Sequence, residues 1–177
     1  MRLKDYQSAT LDTLSAYLKL LLESEAKATK ARAAIAALPD ELRTSVPAPQ
    51  EPTVVAWDEA RKNGITASPD AWRELRNDTG HAIPHVCLKL PTGGGKTLLA
   101  AHGVDRILVS HFHQTFGFVL WIVPSEAIYA QTKAQLADRG HPIRQTLDRL
   151  SGGRVKILEK LDGFTKQDVE QKLMCCS

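Results

Sequence analysis

The sequence predicts an α/β fold, with a parallel sheet flanked by helices and one long N-terminal helix. An apolar segment at 85–90 leads through a glycine-rich turn into a helical pattern from Lys96 to about Val109. A continuous apolar run follows at 117–123 and is typical of a strand buried on both faces of a parallel sheet. Because helices alternate with these strands, we expect right-handed crossovers and a three-layer arrangement.

The N-terminal helix is predicted over residues 3–38. Its leucines recur at steps of three and four positions, at Leu11, Leu14, Leu18, Leu21 and Leu22. An alanine-rich second half favours the helix, and Pro39 is expected to end it.

Residues 39–82 are predicted to be a linker or a helical insertion, since they are rich in proline. Short helices are expected at 57–62 and, after Ser68-Pro69, at 69–76. The resulting division of the chain is 1–38, 39–82 and 83–177.

The central motif is Leu-Pro-Thr-Gly-Gly-Gly-Lys-Thr at 90–97. Glycines let the backbone wrap closely around a polyphosphate, and the N–H groups and dipole at a helix start favour an anion. Lys96 is expected to reach the β- and γ-phosphates of ATP, and the Thr97 hydroxyl to bind Mg²⁺. The predicted nucleotide-binding residues here are Thr92, Gly93, Gly94, Gly95, Lys96, Thr97 and Leu98.

This loop departs from the strict P-loop pattern, because Leu90 stands where the pattern begins with glycine. The segment from Pro91 to Thr97 nevertheless resembles the first motif of superfamily-two helicases, which often lacks that glycine. The alternative is a glycine-rich hairpin turn that precedes Lys-Thr by chance.

Two further segments resemble motifs of the same helicases. Tyr6-Gln7 resembles the glutamine motif, which implies that the Gln7 amide pairs with the adenine edge. Residues 121–132 resemble motif Ia, which implies nucleic-acid contacts from Pro124, Ser125 and Gln131. The alternatives are an ordinary first helical turn and an ordinary strand-to-helix turn.

The last part of the sequence predicts two helices and a strand. Pro142 is expected to open a helix that ends at Gly152-Gly153, and residues 154–158 alternate as a strand does. Thr165 to Asp168 fits a capping box that starts a final short helix.

Taken together, the chain resembles the start of the motor subunit of type III restriction enzymes, most closely over 83–135. The resemblance implies that 83–177 is a partial RecA-like P-loop NTPase domain that binds ATP and Mg²⁺. It also implies DNA as a partner, and a second RecA-like domain or partner subunits that complete the site.

An acidic box that would hold Mg²⁺ and orient water is missing, since no apolar strand after Thr97 ends in Asp-Glu. The stretch 158–162 is too weakly patterned for this role. We therefore expect a truncated chain that binds ATP without hydrolysing it alone. The alternatives are an inert gene relic or binding fragment and, less favoured because of the long N-terminal helix, a small P-loop kinase.

The ending Met174-Cys175-Cys176-Ser177 stands where the resemblance leads us to expect an apolar strand. A one-base frameshift and a natural gene end both account for it. Under the frameshift hypothesis the cysteines have no role, the sheet lacks a strand, the strand at 154–158 has an unpaired edge, and the chain tends to aggregate.

Composition sets the remaining expectations. The 177 residues carry a net charge of +3, which permits nucleic acid as a partner without arguing for it. No apolar run is long enough to span a membrane and no signal peptide is evident, so a cytoplasmic location is predicted. The spacing of the three cysteines indicates neither a disulfide framework nor a zinc site.

Overall fold

A computed structural model describes residues 3–70, 72–159 and 162–176. The helices are α1 (Asp5–Ala36), α2 (Asp40–Arg43), α3 (Pro52–Lys62), α4 (Lys96–Arg106), α5 (Glu126–Ala137), α6 (Pro142–Ser151) and α7 (Lys166–Gln171). A π-helical turn at Ile107–His111 extends α4. The strands are β1 (Gly117–Leu120), β2 (Val155–Leu158) and β3 (Leu173–Cys176). No helix within these described ranges is long and apolar enough to cross a membrane.

The chain divides into two compact units. The sheet unit combines the residues up to Leu11 with those from Lys89 onward, and the helical unit comprises Asp12–Leu88. The three-part division along the sequence remains a prediction.

The sheet is parallel, as predicted, with the strand order β1-β3-β2. Phe118 and Lys156 lie on either side of Met174 in register. One face of this sheet packs against α4, α5 and α6 through a core that includes Leu98, Leu136, Leu147, Leu173 and Cys175. The α/β fold class with its long N-terminal helix is therefore confirmed.

The central strand is β3, so the expectation of a missing strand after residue 173 is wrong. Leu173, Met174 and Cys175 are fully buried, and β3 pairs along the whole of β2. Leucine, methionine and cysteine are among the residues most often buried, so residues 173–175 are suited to a buried strand. The edge of β2 that faces β3 is therefore paired, contrary to the prediction, while Ser177 lies outside the described residues.

The apolar run at 117–123 is not buried on both faces, which corrects the prediction for this segment. Strand β1 ends at Leu120 and lies at an edge of the sheet. Val119 and Trp121 pack towards the core, whereas Leu120 is 58% exposed and Ile122 is 85% exposed. An alternating strand turns every second side chain away from the helices, so continuous hydrophobicity did not guarantee burial here.

The predicted strand at 85–90 is also wrong, because the chain is irregular there and Val86 is exposed. Pro84 and Pro91 bracket this segment, and neither can donate a hydrogen bond to a strand ladder. The ring of His85 lies 4.2 Å from that of Trp72 within the helical unit. His85 therefore packs against Trp72 and is not part of a strand.

In the helical unit, α1 and α3 pack through Tyr17, Leu21, Ala56 and Ala60. The helix predicted at 69–76 is wrong over 72–76, and residue 71 lies outside the described residues. Trp57 explains the difference, since its Nε1–H donates to the Asp70 carbonyl at 3.0 Å and its ring packs on that of Trp72. These contacts favour an irregular backbone over a helix in this segment.

Local capping signals were more reliable. Helix α6 starts at Pro142 and ends with Gly152 in the left-handed conformation, as predicted. The capping box is confirmed, because Thr165 and Asp168 each accept a hydrogen bond from the other's backbone N–H. Lys172 donates to Asp168 and, with Thr165, holds the pKa of that carboxyl below its usual range.

Burial of Cys175 predicts a loss of stability at alkaline pH. Desolvation raises the pKa of this thiol from 9.0 to about 11. Its folded-state pKa exceeds its unfolded value, so its stabilising contribution is present below pH 9 and is lost as pH rises towards 11. Urea titrations across this range should show a shallower decline for Cys175→Ala than for the native chain. Equal slopes would contradict a buried thiol in β3.

Candidate functional site

The backbone conformation and close packing of the glycine-rich loop require glycine at positions 93, 94 and 95. Gly93 and Gly95 adopt positive φ angles of 73° and 74°, which side chains with a Cβ rarely adopt. A Cβ on Gly94 would lie 2.9 Å from the Pro91 carbonyl oxygen, closer than real contacts allow. The loop therefore brings bare backbone up to the start of α4.

Lys96 is the first residue of α4, and its ammonium donates a hydrogen bond back to the loop backbone. Its Nζ donates to the Pro91 carbonyl at 2.9 Å, and the Gly94 N–H donates to the same oxygen at 3.0 Å. Thr97 is half-buried beside it, and Leu98 extends into the hydrophobic core. The lysine is thus held at the loop by a bond that an arriving anion can replace.

The first turn of the chain is attached to this loop. Gln7 is only 4% exposed, and its Nε2 donates to the Gly94 carbonyl at 2.9 Å. The Tyr6 hydroxyl donates to the same carbonyl at 3.1 Å. The Gln7 Oε1 accepts from the Lys4 backbone N–H at 3.0 Å. Both ends of the Gln7 amide are therefore bonded within the sheet unit.

A cavity of about 470 Å³ lies beside the loop. The starts of α1, α4 and α6 and one side of α5 line it. Each helix start carries a partial positive charge, and three of them border one space. Lys4 and Lys96 add full positive charges, while no Asp or Glu is among the lining residues. The cavity therefore suits an anion.

His141 lines this cavity as the residue that caps α6. Its Nδ1 accepts from the Ile143 backbone N–H at 3.3 Å. In the neutral imidazole this bond places the proton on Nε2, which is then a hydrogen-bond donor.

The structure brings most of the predicted site residues together. Those that line the cavity are Gln7, Gly93, Gly94, Gly95, Lys96, Thr97, Leu98 and Gln131. Thr92 belongs to the loop but does not line the cavity, and neither do Pro124 and Ser125. Those two are exposed where α5 begins, and the Ser125 Oγ accepts the Ile128 backbone N–H at 3.4 Å.

Sequence reasoning missed the remaining polar wall of the cavity. Thr132, Gln135 and His141 line it together with Gln131. The spacing of Gln131 and Gln135, four residues apart on a predicted helix, was the available signal, since it places both on one helix face. Nothing local indicated that this face turns towards the loop.

Comparison with known proteins decides the family. A family model described as type III restriction enzyme, res subunit, matches residues 1–170, which is nearly the whole chain. The chain belongs to this family. The type III restriction res subunit family is helicase-like and binds ATP. No curated protein and no solved structure matches the chain.

Proposed function

We propose that this chain is the ATP-binding portion of an ATP-dependent DNA helicase or translocase of the type III restriction kind. The observation that carries the proposal is the glycine-rich loop, where two left-handed glycines and a third without room for a Cβ present bare backbone beside Lys96. A polyphosphate is the ligand that such a loop at a helix start suits best.

The residues at the loop fit ATP with Mg²⁺. The loop backbone at 93–95 and the start of α4 would hold the phosphates, and Lys96 would exchange its bond to Pro91 for one to a phosphate oxygen. The Thr97 hydroxyl is a hard oxygen ligand of the kind that Mg²⁺ prefers. When bound, Mg²⁺ neutralises phosphate charge. Gln7 would recognise the adenine edge from its position beside the loop, where its Nε2 donates to the Gly94 carbonyl at 2.9 Å.

DNA is the proposed second ligand. Pro124 and Ser125 are exposed, and the start of α5 offers backbone N–H groups to a phosphate. The Ser125 hydroxyl can still donate its own proton while its oxygen caps the helix. A second RecA-like domain or partner subunit would complete the site, and a cytoplasmic location stays a prediction.

Within these 177 residues no acidic box follows the loop, so we propose that the isolated chain binds ATP without sustained turnover. DNA-stimulated phosphate release that Lys96→Ala abolishes would contradict this part of the proposal and leave the binding site intact.

The test of nucleotide binding is Lys96→Ala. Loss of a charge-assisted contact should weaken binding of a fluorescent ATP analogue by about 1.5–3 kcal/mol. Lys166→Ala is the matched control, because Lys166 is exposed on α7 and pairs with Glu170 at the surface. Equal affinities of Lys96→Ala and the native chain would refute the proposed role of the loop.

A further inference from the structure

The Gly94 carbonyl oxygen is held by two side chains from the first turn of α1. The Tyr6 hydroxyl donates to it at 3.1 Å and the Gln7 Nε2 at 2.9 Å. All of these groups belong to the sheet unit, although 88 and 87 positions of the sequence separate the bonded residues. A carbonyl oxygen has two lone pairs, and here a donor occupies each of them, so the direction of this carbonyl is fixed.

The direction of this carbonyl also sets the direction of the next N–H group. The peptide bond between Gly94 and Gly95 is trans and planar, so its C=O and its N–H point in opposite directions. The Gly95 N–H therefore points away from Tyr6 and Gln7, and no other described residue accepts it. The first N–H groups of α4 have no intrahelical partner either. The Gly95 N–H can thus join them in binding a phosphate.

The covalent structure of the loop does not prevent this peptide from rotating. Glycine lies on both sides of it, and glycine adopts positive and negative φ angles about equally well. A rotated peptide would direct the Gly94 carbonyl oxygen, the negative end of the peptide dipole, towards a bound anion. The bonds from Tyr6 and Gln7 oppose this rotation, because it would leave both donors without their acceptor.

Gln7 has a second role in the proposed function, and the Tyr6 hydroxyl does not. An amide nitrogen carries two N–H groups, so Gln7 can donate one to Gly94 and the other to the adenine edge. The Tyr6 hydroxyl has a single proton, which it donates to Gly94. Removal of this hydroxyl therefore tests the support of the loop and leaves the contacts of Gln7 with the base in place.

We propose that Tyr6 is a positioning residue for phosphate binding, whose hydroxyl holds the peptide between Gly94 and Gly95 with its N–H directed at the phosphates. This inference rests on the proposed function and adds a residue that acts on the ligand through the loop. A loop that is oriented before binding loses less conformational freedom when the ligand arrives, which favours affinity. The contribution of Tyr6 is therefore the same for any ligand with a triphosphate, whether or not it carries a base.

The test is Tyr6→Phe, which deletes one hydroxyl and keeps the ring. Mg²⁺-ATP and Mg²⁺-tripolyphosphate are titrated into the full chain by calorimetry. Loss of the hydrogen bond should weaken both ligands by the same factor, about three- to tenfold. Tyr129→Phe is the matched control, because Tyr129 is a half-buried tyrosine on α5 that does not line the cavity, and it should leave both affinities unchanged.

The native chain offers an independent measurement by nuclear magnetic resonance. Added tripolyphosphate should slow hydrogen exchange at the Gly95 amide and move its proton resonance downfield, because the free N–H gains an acceptor. The Gly153 amide is the internal control, since it already donates to the Asp148 carbonyl at the far end of α6 and should not respond. This measurement decides the inference even if Tyr6→Phe fails to fold.

Unchanged affinities in Tyr6→Phe would overturn the inference. A loss of ATP binding alone would also overturn it, since the hydroxyl would then act at the nucleoside. The same conclusion follows if tripolyphosphate binds without changing the Gly95 amide. In each of these cases the proposed function stands as long as Lys96→Ala weakens both ligands. A native chain that binds neither ligand would overturn the proposed function and this inference with it.

Discussion

Replacing Leu173 with alanine is expected to lower the free energy of unfolding by about 2–5 kcal/mol. Leu173 is fully buried in the central strand, where it contacts the core beneath α4 and α6. The backbone of the same residue also joins both neighbouring strands, since it lies in register with Gly117 and Val155. Small domains have a total stability of about 5–15 kcal/mol, so this loss would remove a large share.

The matched control is Leu120→Ala on the edge strand. Leu120 is 58% exposed, so the same truncation should change the free energy of unfolding by less than about 0.5 kcal/mol. Urea titrations followed by far-ultraviolet circular dichroism compare the two variants. If Leu173→Ala and Leu120→Ala lower the free energy of unfolding by equally small amounts, β3 is not the centre of the sheet.

The elements that sequence predicted well are those fixed by neighbouring residues. Proline at the start of α6, glycine at its end and the reciprocal bonds of Thr165 and Asp168 all act within a few residues. Such signals need no knowledge of the rest of the chain. They account for the correct positions of α6 and α7.

The strands that sequence predicted poorly depend on long-range pairing. Met174 and Cys175 give no strand pattern of their own, yet β1 and β2 on either side make β3 the most buried strand. The segment at 85–90 reads as a strand locally, but His85 packs on Trp72 instead. Hydrophobicity shows that a segment can be buried, and only tertiary contacts decide which neighbour covers it.

The candidate site shows the same division. The glycine-rich loop is visible in the sequence, because its backbone geometry demands glycine at adjacent positions. The bond between Gln7 and Gly94 spans 87 residues and was not predicted, since the family resemblance implied only that the Gln7 amide pairs with the adenine edge. The spacing of Gln131 and Gln135 places both on one helix face, but nothing in the sequence indicated that this face of α5, with Thr132, lines the cavity beside the loop.

Gly95→Ala is expected to be strongly destabilising, and its effect should depend on Gln7. Residue 95 has a left-handed φ of 74°, and a residue with a Cβ adopts this conformation at a cost of about 1–2 kcal/mol. It would also lie 2.7 Å from the Gln7 Nε2, so the amide must leave its bond to Gly94. A buried amide that loses its partner costs about 1–3 kcal/mol more.

Gly93→Ala is the matched control for this prediction. Gly93 has nearly the same φ, 73°, but a Cβ there meets nothing within 4 Å. It should therefore show only the conformational cost, about 1–2 kcal/mol. Both variants should also weaken ATP binding, Gly95→Ala more than Gly93→Ala, because only the former displaces Gln7.

A double-mutant cycle isolates the contact between Gly95 and Gln7. In a Gln7→Ala background the amide is already gone, so Gly95→Ala should cost no more than Gly93→Ala does. We expect a coupling of about 1–3 kcal/mol between the two substitutions, from free energies of unfolding measured in urea. Additive effects would mean that Gln7 does not rest against the loop. Strong coupling would show that the first turn of α1 and the glycine-rich loop behave as one structural element.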